Sequence, residues 1–225
     1  MGVVTGIVPS PRKEGRYDLM IDGESGGVVS LELIERLGLR VGLALDAGRS
    51  AELAEAVAGL ATFDRALGML AVQQRSERDL RRRLLQKGEP EARVDAALAR
   101  LAASGLVNDE AYARQFTRSR VLGRGASRRR VRDELFKRGV GRGAADEAIA
   151  EVFEEEAVDE TGLVEAAARK KLRSLGGLDA ATRRRRLYAF LVRRGHDGSA
   201  IREVVARVLS REDVEALDES SVDED

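Results

Sequence analysis

The chain contains no cysteine, no tryptophan and a single histidine among its 225 residues. The absence of cysteine excludes disulfide bonds and thiolate metal sites. The single histidine, His196, leaves no multi-histidine metal site, and we expect it to lie in a surface turn. Aromatic residues make up only 4% of a chain that is 43% hydrophobic. A core must therefore be built from Leu, Val, Ile and Ala, which suits thin layers of helices.

Long apolar runs and catalytic motifs are also missing. No stretch approaches the roughly 20 apolar residues that cross a bilayer, so we expect a cytoplasmic protein without membrane contact. The segment from Gly139 to Ala144 fits the phosphate-binding pattern G-x-G-x-x-A, but it follows a helical pattern instead of a strand. We interpret it as a turn between helices. The sequence therefore predicts no enzymatic activity, no cofactor and no metal site.

Positive charge is concentrated in the middle of the chain, although its 39 basic and 39 acidic residues balance overall. Residues 75–142 contain 19 basic and 9 acidic side chains, which predicts a surface that attracts polyanions. Residues 211–225 contain eight acidic side chains and one basic side chain. This tail has too little apolar surface to fold, so a disordered, solubilising end is predicted; folding back over the basic body is the alternative.

Residues 1–49 are expected to form a small domain of their own. Short apolar stretches at 3–8, 17–21 and 28–29 are separated by turns rich in proline and glycine, which predicts a β-hairpin or meander. A short helix is predicted from Ser30 to Leu37. Beyond about residue 50 the apolar residues recur with helical period as far as residue 210.

Three glycines, Gly88, Gly139 and Gly195, mark an internal repeat. Each follows a basic residue, and a leucine stands four positions before each of them. Apolar residues recur six, ten and thirteen positions after each glycine, on one face of a second helix. Glycine is expected just past a helix C-terminus because the left-handed conformation costs it little. Ser76 and Ser127 are the expected N-caps of the first two such helices.

A further helix is expected before each pair, over residues 52–74, 109–122 and 158–173. Thr182 is the expected start of the last pair. The chain is thus predicted to be mainly α, with tandem three-helix repeats at residues 50–104, 105–156 and 157–210. Repeats of this size bury their faces against neighbours and form an elongated, curved, solenoid-like stack that suits a large partner.

Four segments resemble the RecX family of recombination regulators: RSERDLRRRLLQKG at 75–88, GLVNDEAYARQFTRSR at 105–120, RRRVRDELFKRGV at 128–140 and FLVRRG at 190–195. The likeness covers about residues 1–210 in order and spacing. Glu89 and His196 stand where the family has an apolar residue after the glycine, and Asn108 stands where an acidic residue is common. The resemblance implies three tandem three-helix repeats, the number that the glycines give independently.

The resemblance also implies a regulatory function. Members of the family bind the RecA filament on single-stranded DNA, lie along its helical groove and inhibit ATP hydrolysis and strand exchange, which limits recombination and the SOS response. The implied partners are the RecA filament and single- and double-stranded DNA, and we expect the chain to act as a monomer. A DNA-binding helical repeat protein that acts without RecA is the alternative.

Arginine side chains are the candidate contacts with RecA or DNA. The best candidates lie away from the apolar faces of the helices that end at the first two glycines; they are Arg81, Arg82, Arg128, Arg129 and Arg132. The basic run at 183–186 is an additional candidate face, although such runs also occur on solvated outer faces. The runs fall late in the first repeat's helix and early in the others, which favours a protein partner, or a mixed site, over DNA alone.

Overall fold

The computed structural model describes the backbone of residues 2–222 and the side chains of residues 2–210. One sheet near the N-terminus contains β1 (Gly2–Pro9), β2 (Arg16–Ile21), β3 (Glu24–Ser30) and β4 (Ala44–Leu45). The helices are α1 (Leu31–Leu37), α2 (Ala47–Val72), α3 (Glu77–Gln86), α4 (Glu91–Ala103), α5 (Asp109–Arg124), α6 (Arg128–Lys137), α7 (Arg142–Glu155), α8 (Glu160–Leu172), α9 (Ala180–Arg193) and α10 (Gly198–Val222). The predicted fold class, mainly α with three three-helix repeats after a small sheet, is confirmed.

The sheet is antiparallel and has the strand order β3-β2-β1-β4. Asp22 and Gly23 join β2 to β3 with positive φ angles of 51° and 81°, as the tightest hairpin turns require. Strand β4 is only two residues long. A segment this short carries no alternating pattern, so the sequence does not predict it.

The sheet and the first repeat share one apolar core. Val4, Leu19 and Val29 from the sheet belong to the same buried cluster as Leu60 from α2 and Leu84 from α3. These elements form one compact unit, which ends at residue 108. The sheet and the first repeat therefore lie in one compact unit, in which helices cover the apolar face of the sheet.

Glu89 follows the first repeat's glycine and is held against α2. Its side chain accepts a hydrogen bond of 2.5 Å from the Thr62 hydroxyl and pairs with Arg65. Only 11% of the Glu89 side chain is exposed. A part-buried hydrogen bond and an ion pair therefore join the turn after α3 to α2.

In each repeat the second helix begins at a side-chain cap and ends at a glycine. Ser76 and Ser127 accept a backbone N–H through their hydroxyls at 3.2 and 3.3 Å, which confirms both predicted caps. The three glycines have φ angles of 82°, 88° and 77°, in the left-handed region that favours glycine. The segment from Gly139 to Ala144 follows α6 and leads into α7, so it is a turn between helices.

The start predicted for the third pair is wrong by one turn. Asp179 caps α9, and its carboxylate accepts the backbone N–H of Thr182 at 2.9 Å. Thr182 therefore lies inside the helix. An aspartate is as good an N-cap as a threonine and its charge also complements the helix dipole, so the helix begins at the earlier residue.

The second and third repeats form the other compact unit, which starts at Asp109. Each of these repeats has its own buried cluster, around Ile149 in the second and around Ile201 in the third. Tyr112 and Phe116 are partly buried and pack against the first of these clusters, with ring centroids 6.0 Å apart.

Ser127 and Gly195 form the junction between these two repeats. The Ser127 hydroxyl caps α6 and also donates a hydrogen bond of 2.8 Å to the carbonyl oxygen of Arg194. A Cβ atom at Gly195 would lie 3.0 Å from that hydroxyl oxygen and 3.4 Å from the Cβ of Arg129. The junction therefore requires glycine for its space as well as for its backbone angle.

Helix α10 continues to Val222, into the segment 211–225 for which the sequence predicts disorder. Glutamate, alanine and leucine in this segment favour a helix, and a helix satisfies its own backbone hydrogen bonds without tertiary packing. Residues 223–225 of the predicted tail lie outside the described residues. Between residues 2 and 222, no helix is long and apolar enough to cross a membrane.

The glycines that follow α3 and α9, Gly88 and Gly195, allow a matched test of the junction between the second and third repeats. Gly88 has a similar φ angle to Gly195 but nothing within 4 Å of a Cβ atom. We expect Gly88→Ala to lower the free energy of unfolding by about 1 kcal/mol through backbone strain alone. Gly195→Ala should lower it by about 2 to 3 kcal/mol because Ser127 must also move. Urea unfolding followed by circular dichroism measures both, and equal losses would contradict this account of the junction.

A pH-dependent contact ties the sheet to α2. Asp64 binds Arg16 at 2.7 Å and Lys13 at 2.9 Å. Burial raises the pKa of Asp64, but the hydrogen bonds from these two residues outweigh it and hold the pKa below its usual 3.8. The contact therefore stabilises the fold above the unfolded pKa and is lost as pH falls through the lower folded value.

We expect Asp64→Asn to cost about 2 kcal/mol of unfolding free energy at about pH 7. The variant should also lose less stability than the wild type between about pH 5 and about pH 2, since it no longer has this group to protonate. Urea unfolding across that range checks both effects. Glu14→Gln, an exposed change of equal charge, should follow the wild type; an acid limb in Asp64→Asn as steep as in the wild type would refute the assignment.

Candidate recognition surfaces

Two of the candidate arginines are held by acids of their own repeat. Arg81 of α3 pairs with Asp95 and Glu91 of α4, the latter at 2.8 Å. Arg132 of α6 pairs with Asp146 of α7 in the same way. In both repeats the arginine stands seven residues before the glycine and the aspartate seven residues after it. These pairs hold the second helix to the third and reduce the positive charge that a partner meets.

Arg82 belongs to a cluster around one carboxylate. Asp79 accepts hydrogen bonds from Arg75 and Arg83, each at 2.9 Å, and pairs with Arg82. Burial raises the pKa of Asp79, but the hydrogen bonds from Arg83 and Arg75 and the charges around it keep that pKa below its usual value. The Arg82 side chain is 55% exposed, so it can still contact a partner from the edge of the cluster.

Arg128 and Arg129 are adjacent in sequence but differ in their surroundings. Arg128 binds Glu160 at 2.6 Å and lies over the Phe153 ring at 4.1 Å. Arg129 is exposed, and among the described side chains no carboxylate pairs with it. Of the five candidates, Arg129 therefore offers its charge to a partner most freely.

A recurring apolar position was not among the candidates. Leu85, Phe136 and Val192 each stand three residues before the glycine of their repeat. Their exposed fractions are 39%, 56% and 44%, whereas the leucine one residue earlier in each helix is fully buried. The exposed residues therefore lie on the solvent side of the second helix. The alignment on the glycines could have revealed them.

The third repeat has a basic groove between α9 and α10, with a volume of about 1040 Å³. We name it the third-repeat groove; its lining includes Ala181, Arg184, Arg185, Tyr188, Ala189, Arg202 and Ala206. Two of these arginines fall in the basic run noted from the sequence. Tyr188 and Arg202 were missed because they lie fourteen residues apart and face each other only when the two helices pack antiparallel.

His196 follows the last glycine and is half-buried. Burial lowers its pKa, and the nearby positive charge of Arg194 lowers it further, so the imidazole is neutral at physiological pH. The expected place in a turn is correct, although the ring is more enclosed than a surface residue. A neutral ring costs less to desolvate at this half-buried position than a charged ring would.

Comparison with known proteins identifies the repeats. The chain matches the models of the first, second and third three-helix domains of RecX over residues 63–101, 108–149 and 159–205. It is 34% identical over 157 residues to the regulatory protein RecX of Amycolatopsis mediterranei, covering 69% of this chain and 88% of the relative. It is 32% identical over 146 residues to the regulatory protein RecX of Chlorobium phaeobacteroides, covering 65% of this chain and 92% of the relative.

Two crystal structures have the same fold. One, of a regulatory protein RecX, superposes with a TM-score of 0.75 at 24% identity, covering 91% of this chain and 98% of the other. The second, of RecX from Lactobacillus salivarius, has a TM-score of 0.58 at 16% identity and covers 68% of this chain and 97% of the other. With the three matched domains and the sequence relatives, they lead to one conclusion: the chain belongs to the RecX family of regulatory proteins.

Proposed function

We propose that this chain binds the RecA filament on single-stranded DNA and inhibits its ATP hydrolysis and strand exchange, acting as a non-enzymatic cytoplasmic regulator of recombination and the SOS response. Membership of a family of regulatory proteins supports a regulatory role. The observation that carries the choice of a protein partner is the apolar residue exposed at the same position of all three repeats, namely Leu85, Phe136 and Val192.

This recurrence calls for a partner. Single exposed apolar residues are ordinary on protein surfaces. The glycine cap uses only the backbone carbonyl of the exposed residue, so it does not require an apolar side chain there. An apolar side chain gains free energy when a protein surface covers it, and aromatic and aliphatic anchors of this kind dominate protein interfaces. A filament of identical subunits presents the same surface at intervals, which suits a binder that repeats its own contact residue.

The candidate arginines are proposed to act at the margin of these contacts. Arg129 contributes most, because it is exposed and lacks an acid partner among the described side chains. Charges at the margin of an interface raise association rates more than affinity. Each of the other four is held by an acid of the chain, and each would contribute less; they are Arg81, Arg82, Arg128 and Arg132.

The second candidate function is DNA binding without RecA. The third-repeat groove favours it, since its arginines suit a phosphate backbone. DNA binding alone gives no reason for an exposed apolar residue on each repeat. We therefore place DNA second, as a ligand that the protein meets within the filament.

The deciding experiment measures ATP hydrolysis by the cognate RecA on single-stranded DNA while this protein is titrated below one molecule per RecA. We expect strong suppression at these ratios. A parallel binding assay on bare DNA without RecA distinguishes the two candidates. Unchanged hydrolysis together with tight binding to bare DNA would leave the DNA-binding protein as the better proposal.

The repeated apolar residues give a sharper test. Replacing all three with glutamine, as Leu85→Gln, Phe136→Gln and Val192→Gln, should raise the concentration for half-maximal suppression of RecA ATP hydrolysis by at least about tenfold. Affinity for bare DNA should stay the same, because no charge changes.

The matched control replaces three other exposed apolar residues, Val41, Val72 and Leu122, which are 64%, 84% and 58% exposed and do not recur among the repeats. This variant should suppress hydrolysis like the wild type. Equal effects of the two triple variants would show that the recurring position has no special role.

A further inference from the structure

The third repeat departs from the other two at the positions that hold their ion pairs. Seven residues before the glycine, Tyr188 replaces the arginine of the earlier repeats, and seven residues after it, Arg202 replaces the aspartate. A tyrosine and a cation thus face each other across the second and third helices of this repeat. The acid that reduces the positive charge in the first two repeats has no counterpart here.

The third-repeat groove gathers positive charge that the described chain leaves unpaired. Arg184, Arg185 and Arg202 are exposed, and no carboxylate among the described side chains forms an ion pair with them. On α9, Ala181, Arg184, Arg185 and Tyr188 follow helical spacing along one face, and Arg202 and Ala206 do so on α10. Several alanines in the lining keep the groove open between these longer side chains.

We propose that the third-repeat groove binds a single strand of nucleic acid, with Arg184, Arg185 and Arg202 on the phosphates and the Tyr188 ring stacked on a base. Proteins bind single strands by this combination of a basic groove with an aromatic platform. An acidic protein segment would use the arginines but not the exposed ring or the apolar alanine walls. The proposal rests on the proposed function, because the strand is the one that RecA coats. It assigns binding of that strand to the third repeat.

The test measures binding of the full chain to a fluorescein-labelled oligothymidylate of about 20 nucleotides by fluorescence anisotropy, without RecA. The triple variant Arg184→Gln, Arg185→Gln and Arg202→Gln should bind at least about tenfold more weakly at low salt. Its slope of log affinity against log salt should fall by about 2, because each lost phosphate contact on a single strand contributes about 0.7. Circular dichroism and thermal unfolding confirm that the variant is folded.

Tyr188 is tested by two substitutions. Tyr188→Leu removes the aromatic ring and should weaken binding about tenfold. Tyr188→Phe keeps the ring and should bind within about twofold of the wild type. Equal losses in both variants, or no loss in Tyr188→Leu, would overturn the stacking assignment.

The matched control removes three exposed arginines elsewhere, by Arg12→Gln, Arg40→Gln and Arg49→Gln. This variant has the same net charge as the groove variant, and it should bind close to wild type. If both lose affinity equally, net charge and not the groove controls binding, and the proposal fails. It also fails if the groove variant binds as tightly as the wild type.

Failure of this proposal and failure of the proposed function give different results. A groove variant that keeps its affinity for bare DNA but no longer suppresses RecA ATP hydrolysis would show that the groove takes an acidic protein segment, which overturns the nucleic-acid assignment. A wild type that leaves RecA unaffected but loses DNA affinity in the groove variant would sink the proposed function and keep this inference.

Discussion

The architecture depends on one backbone requirement, the left-handed residue that ends the second helix of each repeat. Gly88, Gly139 and Gly195 supply it with φ angles between 77° and 88°. An α-helix that continued through this point would carry the chain away from its repeat. The reversal brings the third helix back along the second, so that the apolar positions before and after the glycine meet in one core. Capping, core packing and the intra-repeat ion pairs all follow from that return.

Much of the fold can be predicted because its signals are local. Serine caps at Ser76 and Ser127, the period of buried leucines and the turn at Gly139 all depend on residues close in sequence. The sequence predicts Thr182 and not Asp179 as the cap of α9, because both residue types cap helices and the distance to the repeat glycine favours Thr182. The shared core of the sheet and the first repeat was missed because it joins segments distant along the chain.

The candidate surfaces were harder to predict, since charge counts along a sequence do not show which charges pair. Arg81 and Arg132 stand out as basic residues in the sequence, yet both are held by aspartates of the next helix. Their partners lie fourteen residues away, beyond any run that composition detects. The alignment on the glycines contains this signal, because residues at equal distances on either side of the reversal come together. The same alignment shows that Tyr188 and Arg202 replace the arginine and the aspartate of this ion pair in the third repeat.

The sheet that shares its core with α2 has a consequence for assembly. Val57 of α2 lies so close to Gly27 of β3 that a Cβ atom there would be only 2.6 Å from its methyl group. A helical array whose first helix exposed its apolar side could add another copy of itself and grow into a polymer. Here the sheet occupies that side of α2. The N-terminal sheet therefore covers the apolar side of α2 that a further helical repeat would otherwise need to cover.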